Sequence, residues 1–338
     1  MIFIDALYIN NGGGLRLLNY MVNELQAQKV DFFLLADDRC EISHVQGERV
    51  LYMKASFIKR MRFYKSIKNQ YSSVLCFGNI PSLVKLNIPV YTYFHNINLL
   101  TLSESSNPIE YCKMWLKRQV FRYYRNNTDY WIVQTSNTAS ELINHLHESS
   151  NRVVEFPFFD IPDLCRENAV SRTDYVFIGN YYNGAKGHNE LLKAWEILHE
   201  NNIDIPLHLT VDNSNIDFVK KINDKVRSGV KIINHGTIPF SEVAKLYWKS
   251  KAIIYPSHNE SLGLGIIEAI KAGCDVIGAD LPYLHAICIP SIVFSPYSAD
   301  SIADAVIKYE QTRVRKSELL IKNKIREFIE FVNKKNYC

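Results

Sequence analysis

Short apolar runs alternate with longer stretches whose apolar positions recur about every 3.6 residues. Residues 2–7, 32–36, 74–77, 90–94 and 130–133 are continuous or nearly continuous apolar runs and predict strands. Between them, Leu17, Leu18, Met21 and Leu25 mark one helix face, and 115–124 predicts a basic, aromatic helix. Gln134, Thr135 and Ser136 close the fifth run with a helix-capping sequence. The second half repeats the pattern, with strands predicted at 175–178, 207–211, 230–233, 252–255, 276–277 and 292–294 and a helix over 189–198. A charged amphipathic pattern over 318–335 predicts a helical tail. Apolar strands alternating with helices imply βαβ units and parallel sheets buried on both faces.

Residues 160–173 carry prolines and charges with little periodicity, which places a domain boundary there. The expected organisation is α/β, with two doubly wound, Rossmann-like domains, 1–165 and 166–338, facing across a cleft. The tail helix would cross back to the first domain. In such sheets ligands bind beyond the carboxyl ends of the strands, so residues just after each strand matter most.

A length of 338 residues suits two domains, each able to bury a core. The net charge of +4 does not by itself call for a polyanionic partner, but the charge is uneven. Residues 54–68 hold six basic side chains and 113–125 hold five, with no acid in either stretch. Phe57, Ile58, Met61, Tyr64 and Ile67 interleave with the first set. A helix there would be basic and amphipathic, suited to an anionic membrane surface, or else a half-buried helix over the sheet. Trp115, Tyr123 and Tyr124 could extend the same face. No nucleic-acid recognition motif is present.

The seven cysteines form no C-x-x-C pair, which reads as free thiols in a reducing compartment. The N-terminus reads as a strand and not as a leader, and no apolar run approaches the ~18 residues of a membrane span. A cytoplasmic protein is expected, with any membrane contact peripheral and on the inner face.

Glu260 and Glu268 bracket the run E-S-L-G-L-G-I-I-E, which follows an apolar strand and opens a helix. Gly263 and Gly265 permit close backbone approach, and the amides around Leu264 could face a diphosphate. Glu268 could accept from ribose hydroxyls and Glu260 from sugar hydroxyls. Acids at a helix start also simply favour the helix dipole. Gly12, Gly13 and Gly14 follow the first strand and could admit an acceptor or a donor phosphate, although ordinary turns use glycine too. His95 ends a strand and is placed to reach the cleft, although a lone histidine is often structural. Asp37 and Asp38 lack D-x-D spacing and read as loop acids, so no metal site is expected.

The longer run G-T-I-P-F-S-E-V-A-K-L-Y from Gly236, and then Y-P-S-H-N-E-S-L-G-L-G-I-I-E-A-I-K-A-G-C-D-V-I-G-A-D from Tyr255, resembles the family-4 retaining glycosyltransferases of GT-B fold. The family's two glutamates fall on Glu260 and Glu268, and its lysine–glycine pair on Lys186 and Gly187. The resemblance implies that Glu268 binds the donor ribose and that Glu260 and His95 lie near the donor sugar. It implies that Lys186 and the amides at 262–265 neutralise the departing diphosphate. It further implies a nucleotide sugar such as UDP- or GDP-hexose as donor, no cofactor, and front-face transfer in which the leaving phosphate takes the acceptor proton. With the basic segments, it implies a lipid-linked saccharide acceptor in bacterial surface polysaccharide synthesis (O-antigen or capsule).

The chain departs from the family at two points. Asn180 follows Gly179 where the family carries an arginine, leaving Arg16 as a candidate substitute cation. Asp212 and Asn213 stand in place of a glycine-rich turn. A nucleotide-sugar epimerase or phosphorylase on the same scaffold, or a non-catalytic nucleotide-sugar-binding protein, stays open as an alternative.

Overall fold

A computed structural model describes the chain apart from residues 43–44, 46, 68–69, 101–107, 162–163, 165–170, 182–183 and 335–338. The chain divides into two units, one of Met1–Asp160 with the segment from Lys322 onward, the other Ile161–Ile321. The first holds β1 (Ile2–Asp5), α1 (Gly12–Ala27), β2 (Phe32–Asp37), β3 (Val50–Met53), α2 (Phe57–Ser66) and β4 (Ser73–Cys76). It continues with β5 (Val90–Tyr93), α3 (Pro108–Tyr124), β6 (Tyr130–Val133), α4 (Ser136–Leu146) and β7 (Val153–Glu155). These seven strands form one parallel sheet in the order β3-β2-β1-β4-β5-β6-β7. The order reverses between β1 and β4, and a crevice forms outside the strand ends at such a switch point.

The second unit runs through β8 (Asp174–Phe177), α5 (His188–Glu200), β9 (Leu207–Leu209), α6 (Ile216–Arg227), β10 (Ile232–Asn234), α7 (Phe240–Lys249) and β11 (Ser250–Tyr255). It continues with α8 (Leu264–Lys271), β12 (Asp275–Ala279), α9 (Pro282–Ile287), β13 (Cys288–Ile289), β14 (Ile292–Phe294), α10 (Ala299–Gln311) and β15 (Glu318–Leu319). Six strands form a second parallel sheet, β10-β9-β8-β11-β12-β14, whose order reverses between β8 and β11.

Within the first unit, α11 (Ile325–Asn333) buries Phe328, Ile329 and Val332. Phe328 packs on Phe158 with ring centroids 5.0 Å apart, and Ser73 Oγ donates to the Val332 carbonyl at 3.1 Å. The predicted single tail helix is thus two pieces. Glu318 and Leu319 pair antiparallel with β13, and the helix starts only at Ile325.

Strands β3 and β7 lie at the two sheet edges and are absent from the sequence expectation. β3 is the apolar run Val50–Met53, with Leu51 and Tyr52 solvent-exposed at the sheet edge, and β7 has only three residues. The three glycines Gly12, Gly13 and Gly14 form the first turn of α1 and not the turn before it.

Helix α2 is amphipathic in a different sense from the expected one. Arg60 and Tyr64 face inward, and Arg60 is 2 % exposed, with its Nε donating to Asp5 Oδ2 at 2.7 Å. Tyr64 donates to the same carboxylate oxygen at 2.6 Å. Arg60 is therefore committed to the core, while Lys59, Arg62 and Lys65 remain outside. Lys68 lies outside the described residues.

Candidate active site

In the second unit, the loops after β8 and β11 flank the switch point, and they are locked together at Gly187. Gly187 adopts φ +67°, and a Cβ there would lie 2.3 Å from the Pro256 carbonyl oxygen. Only glycine permits both the left-handed backbone and the contact. The His258 amide donates to the Ala185 carbonyl at 3.0 Å, a second tie between the two loops.

This tie brings Lys186 beside Glu260. Lys186 Nζ donates to Glu260 Oε1 in an ion pair whose side chains are 31 % and 13 % exposed. Tyr255, at the end of β11, donates its hydroxyl to the same oxygen at 3.0 Å. Burial, and then the neighbouring Glu260, push the Tyr255 hydroxyl well above its ordinary range, so it stays a donor. A half-open ammonium held by a carboxylate can meet an incoming anion without moving far.

Gly263 caps α8 at φ +63°, and a Cβ there would stand 2.8 Å from Ile287 Cδ1. Helix α8 then opens at Leu264, and the Ile266 amide already donates to the Gly263 carbonyl at 2.9 Å, so the amides that precede it are the ones with no intrahelical acceptor to reach. Gly265 lets the helix approach Tyr255, where a Cβ would be 3.4 Å from the ring. Glu268 is 3 % exposed, and its Oε2 accepts from the Tyr247 hydroxyl of α7 at 3.0 Å. It is a far more enclosed carboxylate than Glu260.

Asn180 follows β8. Its Oδ1 accepts from the Tyr181 and Asp212 amides at 2.9 and 3.0 Å and from Asn215 Nδ2 at 2.9 Å. The carbonyl is used to anchor the β9 loop, so only Nδ2 can serve a phosphate. Asp212 itself is held low, to about 2, by hydrogen bonds from Ser214 and Thr237. Arg16, the candidate substitute cation, lies in the first unit and donates to the Asp160 carbonyl at 3.1 Å.

His188, the residue after Gly187, is 1 % exposed and donates Nε2–H to the Gly179 carbonyl at 3.1 Å. Burial pushes it down to about 4, and Lys186 adds to that, so the ring is neutral.

Of the three glycines, Gly14 lies against His95 in the first unit. A Cβ on Gly14 would sit 3.5 Å from His95 Nε2. Asn79 Oδ1 accepts the His95 backbone N–H at 2.7 Å, which fixes the amide orientation. Asn79 Nδ2 therefore donates to His95 Nε2 at 3.3 Å. The ring proton is left on Nδ1, which is buried and has no hydrogen-bond partner among the described residues. Burial pushes His95 down to about 4, so its ring is neutral at physiological pH.

Sequence reasoning did not find Tyr255, Tyr247, His188 or Asn79. Tyr255 and Tyr247 lie inside the quoted motifs, and His188 directly follows the lysine–glycine pair, but their roles depend on packing that no spacing reveals. Among the described residues no group of three His, Cys, Asp or Glu side chains is placed to share a metal ion.

The family model for group 1 glycosyl transferases matches residues 167–327, the stretch that contains Lys186, Glu260 and Glu268. The match covers just under half of the chain and marks this stretch as similar to group 1 glycosyl transferases. No curated protein matches the chain. Among solved structures, sucrose-phosphate synthase (tll1590) from Thermosynechococcus elongatus is similar at TM-score 0.72 and 15% identity, covering 91% of this chain and 89% of that one. WaaG, a glycosyltransferase involved in lipopolysaccharide biosynthesis, is similar at TM-score 0.65 and 11% identity, covering 98% and 100%. The HepE protein (Alr3699) of Anabaena, solved with UDP and glucose, is similar at TM-score 0.65 and 12% identity, covering 92% and 90%. The shared architecture is GT-B, and the stretch matched by the family model supplies the six-stranded sheet.

Proposed function

We propose that the protein is a retaining glycosyltransferase that moves a hexose from a nucleotide diphosphate sugar, such as a UDP- or GDP-hexose, to a saccharide acceptor. The observation that carries this reading is the Lys186–Glu260 ion pair, set beside the opening turn of α8 at the switch point of the second sheet. Breaking a glycosyl–phosphate bond builds negative charge on the leaving diphosphate. An ammonium and fixed backbone amides stabilise that charge without reorganising.

In the proposed reaction an acceptor hydroxyl oxygen bonds the anomeric carbon on the face the diphosphate leaves. The carbon–oxygen bond to phosphate breaks, and the acceptor proton passes to a leaving phosphate oxygen. Lys186 and the amides at 262–265 receive the charge, and Glu260 holds Lys186 and meets the sugar. Glu268 binds ribose, and Asn180 gives phosphate one hydrogen bond through Nδ2. His95 is assigned to the sugar as a neutral hydrogen-bonding ring, with Gly12, Gly13 and Gly14 giving space beside it. No metal is assigned to the reaction.

The acceptor is proposed to be a lipid-linked oligosaccharide of a bacterial surface polysaccharide, with the enzyme peripheral on the inner face of the cytoplasmic membrane. The support is the outer surface of α2 and α3. There Ile58, Trp115 and Tyr123 are exposed at 63%, 45% and 78% among Lys59, Arg62, Lys113 and Arg122.

A thermal-shift panel of UDP, GDP and their sugars tests the donor site, followed by chromatography of donor consumption with and without acceptor. Binding without consumption would favour the non-catalytic reading, which the replacement of the family's arginine by Asn180 supports. A new sugar nucleotide formed from donor alone would favour an epimerase.

A further inference from the structure

The first unit has a cavity of about 290 Å³ at its own switch point, built from the loops that follow β1 and β4 and closed by α2 and α3. Tyr8 and Asn79 come from the loops, Phe57 from α2, and Leu116 and Lys117 from α3. Most of the remaining lining is aliphatic, and Lys117 is the one charged residue among the lining side chains.

The backbone around this cavity is unusual. Among the described residues, five non-glycine residues have positive φ. Lys29, His147 and Asn202 follow the ends of α1, α4 and α5, where a left-handed residue normally stops a helix. The other two, Tyr8 at φ +86° and Asn79 at φ +68°, both line the cavity. For a bulky side chain such as Tyr8 this region is a genuine outlier, and such outliers gather where a ligand is held.

The surrounding structure enforces these conformations. A Cβ on Gly78 would lie 2.8 Å from the Leu7 carbonyl, so the two loops are in direct contact. Asp37 Oδ2 accepts the Tyr8 amide at 3.3 Å, and Asp5 Oδ1 accepts the Leu7 amide at 3.2 Å. Arg60 clamps Asp5 and also donates Nη2 to the Ile80 carbonyl at 2.8 Å, bracing the second loop. The walls are therefore set before a ligand arrives. Asn79 also joins the cavity to the catalytic candidate, since the amide that lines it bonds His95 through both its oxygen and its nitrogen.

Apolar walls gain little from a bare sugar, whose hydroxyls would lose water without partners. They gain from hydrocarbon, and one ammonium at the edge suits a phosphate as a point charge. We propose that this cavity is the subsite for the non-sugar end of the acceptor: an aliphatic group packs against Phe57 and Leu116, and the phosphate ester that joins it to the saccharide meets Lys117. Its role as an acceptor subsite rests on the glycosyltransferase reading above, whereas its affinity for an aliphatic phosphate does not.

The test is calorimetric titration of the full chain with decyl phosphate below its micelle concentration, alongside decanol and inorganic phosphate. Decyl phosphate is expected to bind at least ~10-fold tighter than either fragment. Leu116 and Lys117 are exposed, so K117Q and L116Q leave the core intact, and they are expected to weaken binding about tenfold and about fivefold. Equal affinities for the three probes, or unchanged affinity in both variants, would overturn the subsite. The nucleotide melt panel is read on the same samples. A nucleotide shift without decyl phosphate binding removes the cavity proposal alone, and the reverse result removes the donor reading alone.

Discussion

Lys186 Nζ and Glu260 Oε1 are bonded across two different strand–helix loops, and the Tyr255 hydroxyl donates to the same glutamate oxygen. The carboxylate thus fixes where the ammonium waits. K186A removes the charge proposed to meet the diphosphate, and E260A leaves the lysine unanchored. Each is expected to lower sugar transfer at least ~100-fold. Y255F deletes one hydrogen bond to Glu260 and is expected to cost only about three- to tenfold. Initial rates of donor consumption at saturating acceptor rank the three variants, and near-wild-type rates in both K186A and E260A would discard the charge argument.

Gly187 offers a test that needs no substrate. G187A places a methyl group against the Pro256 carbonyl in a backbone region that alanine resists. The expected loss is about 2–4 kcal/mol, or roughly 5–15 °C in melting temperature for a unit of this size. A melt within 2 °C of wild type, on the order of the smallest shift this scale resolves, would mean the loops are not tied there.

The buried Asp5–Arg60 pair predicts an asymmetry. R60M strands a carboxylate that is 1 % exposed, and should cost about 3–5 kcal/mol in urea unfolding. The double variant D5N/R60M removes the stranded charge and should recover a large part of that loss. If the double variant is as unstable as R60M, the pair's charge is not what matters.

His95 and His188 are both pushed down to about 4 by burial, from an ordinary value of 6.5. Between those limits the unfolded chain binds protons that the folded chain refuses, so stability falls as pH falls from about 6.5 towards 4. Each histidine contributes a slope of roughly 1.4 kcal/mol per pH unit in the middle of that window. Above about pH 7 both terms are flat. H188Q should flatten part of the slope in melts taken from pH 7 to 4.5, and an unchanged slope would show that the ring is protonated in the native state.

The basic, aromatic surface of α2 and α3 predicts salt-sensitive binding to anionic vesicles. The double variant K113Q/R122Q should weaken sedimentation with phosphatidylserine vesicles by about 10–30-fold at low salt, given roughly 1 kcal/mol per basic residue. Neutral vesicles should bind weakly throughout. Equal binding of wild type and variant would remove the membrane proposal.

The alternation of apolar runs and helical stretches exposed most of both sheets, because nearly every central strand is buried on both faces and reads as unbroken hydrocarbon. Edge strand β3 was legible too, since Val50–Met53 is as apolar a run as 74–77, and it was passed over; in the fold its Leu51 and Tyr52 stand in solvent. Lys186 and Glu260 were legible as motif residues, yet their pairing was not, since it depends on Gly187 seating against Pro256 across 69 residues of chain. Arg60 shows the opposite failure. Composition grouped it with a surface charge run, and only the register of α2 turns it onto Asp5. The cavity at Tyr8 and Asn79 left no trace in the pattern, because left-handed backbone at a tyrosine is imposed by neighbours distant in sequence.

The return of α11 to the first unit has a practical corollary for dissection. The chain crosses from one unit to the other at Asp160 and back at Lys322, so residues 161–321 are an insert within a discontinuous host. A stop codon after the first crossing would strip that host of Phe328, Ile329 and Val332, uncovering Tyr93 and Phe158 to solvent. The workable way to express the host alone is a splice that replaces the insert with a flexible linker.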